Sequence, residues 1–234
     1  GGFSDDHIIL VIDKATAAEE NNVIRAEDNG PDLLGGTDNL PAAVIDYDNA
    51  ALSPSDISNI LKGQSTSSTP VVLPRDAGQN VFFYWSGHGG QSAFKWRDDD
   101  TRRFTYTLLK ETVQTMLNSD APTCRKLFVV AEPCYGESVI NALRGITGAL
   151  GISGANAHEQ SYGDNWSYTK KAWLCDRFTL NLYNCLSANP STNYHDLFLY
   201  LAEHTIASHA RIVNAAYFGN LTTTSPDEFI TYRH

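Results

Sequence analysis

Paired metal-ligand spacings are missing from this 234-residue chain. Its four cysteines, Cys124, Cys134, Cys175 and Cys185, form no Cys-x-x-Cys, and no His-x-x-x-His occurs. No ligand set for a metal is recognisable, and neither metal nor cofactor is expected. No apolar run approaches the ~20 residues that cross a bilayer, and no basic amphipathic stretch suits a membrane surface. Basic residues are the minority: 17 Lys and Arg against 27 Asp and Glu leave a net charge of −10. That balance argues against nucleic acid or anionic lipid as partner, since both reward a basic surface. It is compatible with basic or neutral polypeptides. No linker, internal repeat or heptad pattern appears, and 42% hydrophobic content is enough for one large core. The chain opens on Gly1-Gly2-Phe3 and enters the strand-like run His7-Ile8-Ile9-Leu10-Val11-Ile12 almost at once. An upstream segment, removed or held as a separate piece, is therefore expected, and the compartment is left open.

Two apolar runs end in reactive residues. Val81-Phe82-Phe83-Tyr84-Trp85 leads into Ser86-Gly87-His88-Gly89-Gly90, and Leu127-Phe128-Val129-Val130 leads into Ala131-Glu132-Pro133-Cys134-Tyr135-Gly136. Both runs read as buried parallel strands. Open α/β sheets carry their chemistry just beyond the carboxyl ends of the strands, so an imidazole and a thiol fall over one cleft. Cys134 follows His88 by 46 positions, room for a crossover helix, for which Leu109, Val113, Met116 and Leu117 supply the spacing. His88 is placed to draw the proton from Cys134. Gly89 lets backbone approach a scissile bond, and its N–H with that of Cys134 suits an oxyanion hole.

The remaining elements follow from local signals. Residues 14–55 are polar and read as loop, with Leu40–Tyr47 as a brief extended segment. Ser53 caps a helix through Lys62-Gly63, with Pro54 at its first position, and Gln64–Thr69 reads as open chain. Further elements are a helix over 137–143, a strand over 146–152, a polar loop over 153–170, helices over 172–186 and 195–208, and a last strand over 212–218. Strands alternating with helices predict an α/β sandwich with a mainly parallel sheet. Cys175 and Cys185, read on one helix, are separated by a rise of ~15 Å, beyond the reach of a disulfide, so free thiols are expected.

The two motifs resemble those of the legumain-type cysteine endopeptidases, a family that also includes the catalytic subunit of the GPI-anchor transamidase. The likeness extends to Asp5–Leu10, Ile45-Asp46-Tyr47, Leu52–Gly63, Ser92–Trp96, Cys175–Thr179 and Ser208-His209 with Tyr217–Asn220, nearly the whole chain. It implies a caspase-like three-layer αβα sandwich, one peptidase domain over 1–234 that begins at the family's second strand, a Cys134 nucleophile, a His88 base and an oxyanion donor at Gly89. It implies a polypeptide substrate, a zymogen whose own cleaved N-terminal segment is a partner, and an extracytoplasmic or secreted location. Glu132 falls at an acidic position of the family's primary specificity pocket and Asp176 at a second one, while Gln160 stands where legumains have a Ser. Two residues before Cys134 in an extended segment, Glu132 points the same way as the thiol. An acidic pocket pairs with Lys or Arg or accepts hydrogen bonds from an Asn amide, and it rejects Asp and Glu while ionised.

Three functions remain open at this stage. Hydrolysis of peptide bonds through a thioester leads, transpeptidation or transamidation by the same intermediate is the alternative, and a non-catalytic peptide-binding domain is the third.

Overall fold

The computed structural model describes residues 3–13, 44–96, 99–168 and 172–230. The polar stretch 14–40, the start of the Leu40–Tyr47 segment and the terminal 231–234 lie outside them. A short parallel pair, β1 (Val11–Ile12) and β2 (Tyr47–Asp48), precedes helix α1 (Pro54–Leu61). The main sheet contains β3 (Asn80–Trp85), β7 (Lys126–Ala131), β8 (Ala149–Ser153) and β11 (Arg211–Val213), in the order β11-β8-β7-β3. Its first three strands run parallel and β11 antiparallel. Between β3 and β7 lie β4 (His88–Gly90), β5 (Ala93–Trp96) and β6 (Asp99–Thr105), a small antiparallel sheet, then helix α2 (Tyr106–Asn118). Helix α3 (Gly136–Ile140) follows β7. The rest of the chain forms the hairpin β9 (Gly163–Ser167) and β10 (Ala172–Asp176), and the helices α4 (Arg177–Ala188), α5 (Tyr194–His204) and α6 (Asp227–Ile230).

Alternation along β7 divides the core into two layers. Leu127, Val129 and Ala131 pack with Ile57 and Ile60 of α1, Leu109, Val113 and Met116 of α2 and Val139 of α3. Phe128 and Val130 face the other way, onto Phe178 and Leu182 of α4, Tyr194, Leu197 and Leu201 of α5 and Phe229 of α6. A strand buried on both faces needs apolar residues at every position, which is why 127–130 reads as an unbroken run. The result is a three-layer α/β sandwich with a mainly parallel sheet. The helix starts are fixed by side-chain caps. Ser53 and Asp56 form a reciprocal capping box on α1, and Thr105, Asp176 and Asn193 accept from backbone N–H groups at the starts of α2, α4 and α5.

Several sequence expectations are corrected. Residues 172–176 are strand β10, not the start of a helix: they pair antiparallel with β9, inside the stretch expected to be loop. Cys175 therefore lies in β10 and Cys185 in α4, on different elements, and all four cysteines are free. The strand expected from Ile146 begins at Ala149, because Gly145 and Gly148 turn the chain at φ +79° and +86°. The last strand stops at Val213, where Asn214 adopts φ 71° and a 3-10 turn over Ala215–Tyr217 begins. Gln64–Thr69 is a closed turn: the Thr66 N–H donates to the Thr69 carbonyl at 3.1 Å, and Thr69 is buried.

Candidate active site

β3 and β7 are paired from Asn80↔Lys126 to Trp85↔Ala131, so the two strands finish level. The Glu132 N–H donates to the Trp85 carbonyl at 3.0 Å and extends the ladder by one bond. Two loops leave the sheet side by side from this point. After Trp85 the chain turns through Gly87, whose φ of +130° suits only glycine, and His88 begins β4 as an exposed residue. The Trp85 ring holds β4–β6 in place. It stacks on Phe94 at 5.0 Å and Phe104 at 5.7 Å and meets Trp96 edge-on at 5.4 Å. That aromatic cluster fixes the small sheet to the end of β3, and hence fixes where His88 can be.

The second loop carries Cys134, a half-buried thiol. Gly89 lies directly against it. A Cβ at Gly89 would overlap the Cys134 carbonyl oxygen and come within 2.7 Å of the Pro133 Cβ. Glycine is therefore required at this crossing, and the crossing brings the histidine loop onto the cysteine loop. Tyr135 then adopts a left-handed conformation at φ 58° and α3 begins. With five residues, α3 supplies little dipole. The sulfur's described neighbour is instead Ser161, whose N–H approaches Sγ at 3.4 Å and whose Oγ lies 3.7 Å away.

Ser161 belongs to the loop between β8 and β9, which packs on the turn that carries Cys134: the Tyr135 N–H donates to the Glu159 carbonyl at 2.8 Å. The Ser161 hydroxyl also favours the ionised form of the Asp176 carboxylate, which caps α4 by accepting from the Phe178 N–H at 2.8 Å. Burial is the chief reason the Asp176 carboxyl is raised to about 6, against the pull of these donors. Glu132 is raised to about 7, first by burial and further by the charge on Asp176, while the Ser86 hydroxyl and the Gly87 N–H offset part of the rise. Its Oε2 is shut off from solvent and has no hydrogen-bond partner. Tyr84 completes the group. Its hydroxyl lies 2.8 Å from the Thr179 Oγ1 and, although the residue is 37% exposed, desolvation of that hydroxyl and the charges of the two carboxylates push it up to about 12.

The fold thus brings Cys134 and Asp176 to Ser161, leaves Glu132 within the field of Asp176, and sets Gly89 on the Cys134 peptide, with His88 one residue away. Gln160 is exposed. Its neighbour Ser161 makes the contacts with both the thiol and Asp176. Ser161, Tyr84, Ser86 and Thr179 were not singled out in the sequence. The only trace of Ser161 was the polar dipeptide Gln160-Ser161, in which one position of register decides which side chain turns inward. Among the described residues no cluster of His, Cys, Asp and Glu is arranged to hold a metal, and no helix is long and apolar enough to cross a membrane.

Comparison with known proteins adds to this geometry. A putative GPI-anchor transamidase of Caenorhabditis elegans is 25% identical over 206 residues, covering 83% of this chain and 61% of that protein. The GPI-anchor transamidase of Saccharomyces cerevisiae is 21% identical over 249 residues, covering 97% of this chain and 58% of that protein. The chain spans about three fifths of the length of these two relatives. A solved Geobacter sulfurreducens protein covers 92% of this chain, and 98% of its own, at 12% identity and a TM-score of 0.48. At that level it adds nothing to the fold read from the sheet. The Peptidase C13 family model matches residues 1–224. The chain belongs to the Peptidase C13 family.

Proposed function

We propose that this chain is a cysteine-dependent acyl-transfer enzyme acting on polypeptides, with Cys134 as nucleophile, His88 as general base and an amine as the favoured acyl acceptor. The observation that supports the reading is the crossing of Gly89 on the Cys134 peptide, which brings the loop that carries His88 onto the loop that carries the half-buried thiol, at the level ends of two parallel strands. His88 takes the thiol proton and the sulfur attacks the scissile carbonyl carbon, the developing oxyanion being held by the Gly89 and Cys134 N–H groups. The carbon–nitrogen bond breaks, the leaving amine takes the proton from His88, and a thioester remains on Cys134. An incoming amine, or water in its absence, gives up a proton to His88 as it attacks the thioester, and the thiol is restored. The names of the curated relatives favour an amine at this step.

In this reading Glu132, Asp176 and Ser161 line the primary specificity pocket, and the carboxylates of Glu132 and Asp176 receive the substrate's donor. An Asn amide, a Lys or an Arg meets that demand, and at neutral pH a carboxylate does not. The test is product analysis of one peptide with and without a small amine such as hydroxylamine. A hydroxamate product that requires Cys134 and His88 agrees with the proposal. Hydrolysis at the same rate, with no hydroxamate at high amine concentration, refutes the amine as acceptor.

A further inference from the structure

Glu159 sits outside the pocket yet ties three segments together. Its Oε1 accepts from the Asn156 N–H at 2.8 Å and from the His209 N–H at 2.6 Å. Its Oε2 meets the His209 Nδ1 at 2.8 Å, and its own carbonyl accepts the Tyr135 N–H at 2.8 Å. The carboxylate is 21% exposed and the imidazole 72%. One knot therefore joins the segment leading into β11, the loop from β8 to β9 and the turn that follows Cys134. Two residues beyond Glu159, the Ser161 N–H points at the Cys134 sulfur at 3.4 Å, nearer than the Ser161 carbonyl that the thiol faces at 3.9 Å. A second brace lies beside the knot: Glu137 accepts from the Ala157 N–H at 3.0 Å, and the Arg211 Nε lies 3.8 Å from the same carboxylate oxygen. Neither brace includes an atom of the proposed pocket.

We infer that Glu159 and His209 are positioning residues, a clamp that aims the Ser161 N–H at the Cys134 sulfur and thereby favours its thiolate. The inference rests on the reading of Cys134 as the nucleophile. A thiolate accepts an N–H far better than a thiol does, so a donor held on the sulfur lowers the cost of losing the proton. A loop residue with a solvated backbone holds such an aim only if its neighbours are tied down. Glu159 provides the tie on both sides, through its side chain to His209 and through its carbonyl to Tyr135. The charged groups on the segments that meet at Cys134 are His88, Glu132 and Asp176, and those of the neighbouring brace are Glu137 and Arg211. The variants below leave all five in place.

The experiment is the pH dependence of Cys134 alkylation by iodoacetamide, followed on the peptide that carries Cys134 by mass spectrometry so that the other three thiols do not interfere. Glu159→Ala and His209→Phe are expected to move the midpoint upward by about 0.5–1 in pH and to slow alkylation below the midpoint by roughly 3- to 10-fold. His209→Asn, which keeps an N–H near the Nδ1 position, is expected to stay within about twofold of the parent. Alkylation does not need acyl transfer, so a failure of the proposed reaction leaves the profile readable. If Glu159→Ala does not fold, the exposed His209→Phe carries the test. Parental profiles in the folded variants overturn the inference, and an Asn variant that behaves like Phe overturns the role of Nδ1.

Discussion

Replacing Glu132 by Gln should make the protein more stable at high pH and change little at low pH. Burial beside Asp176 raises the Glu132 carboxyl from 4.5 to about 7. Below about pH 4.5 the folded and unfolded chains both hold the proton, and the site costs nothing. As pH rises toward 7 the unfolded chain releases its proton while the folded one retains it, so stability is lost across that window. Above about pH 7 the folded chain ionises as well and the loss levels off. Integrating the two titrations between pH 5 and pH 8 gives a loss of about 2.5 kcal/mol from this one group. Glutamine keeps an oxygen for the Ser86 hydroxyl and the Gly87 N–H but has no proton to lose. Urea unfolding of parent and Glu132→Gln, at fixed ionic strength at pH 5 and pH 8, measures the difference directly. The variant should gain about 2–3 kcal/mol on the parent between the two pH values. Parallel stability curves would refute the enclosure of Glu132 on which the pocket reading depends.

Gly89→Ala should abolish active-site labelling in a protein that still folds, because the added Cβ overlaps the Cys134 carbonyl and forces the two loops apart; retained labelling by a peptide acyloxymethyl ketone would contradict the crossing. Asp176→Asn keeps a cap for the Phe178 N–H but removes a carboxylate raised to about 6. Its rejection of substrates with Asp before the cut should weaken at pH 7.5, as the parent's should at pH 5, and a positional-scanning library at both pH values checks this. Ser53→Ala removes the capping box on α1, which includes none of the site residues; urea unfolding should report a loss of about 1 kcal/mol, with the rate of Cys134 labelling unchanged.

Of the strands that position the site, β7 was legible because it is buried on both faces, as the run Leu127–Val130 records, whereas β3, which also reads as buried in the sequence, leaves Phe82 and Tyr84 exposed. The cap at Ser53 was legible because the chemistry of a helix start is local. What escaped was pairing between distant segments. β9 carries no apolar alternation, and β10 contributes Trp173 and Leu174 to a pattern that α4 continues with Phe178 and Leu182, so the hairpin read as loop followed by helix. The sheet β4–β6 escaped for the same reason: its burial comes from Trp85, a residue of another strand. Within the site, His88, Gly89, Glu132 and Cys134 stood out by sitting at strand ends. Ser161 did not, because only the folded loop decides whether it or Gln160 turns toward the sulfur. The Glu159–His209 pair spans 50 positions, and nothing local marks it.

The covalent intermediate tests the central claim most directly. A peptide with Asn, Lys or Arg before the cut is mixed with the enzyme and quenched in acid within the first turnover, and the digested protein is searched by mass spectrometry for the acyl fragment. The account predicts that fragment as a thioester on the peptide containing Cys134, discharged on addition of an amine and absent from Cys134→Ala. In His88→Ala it should form at least about 10²-fold more slowly. Turnover of the peptide by Cys134→Ala, or an acyl fragment on any other residue of the parent, would contradict it.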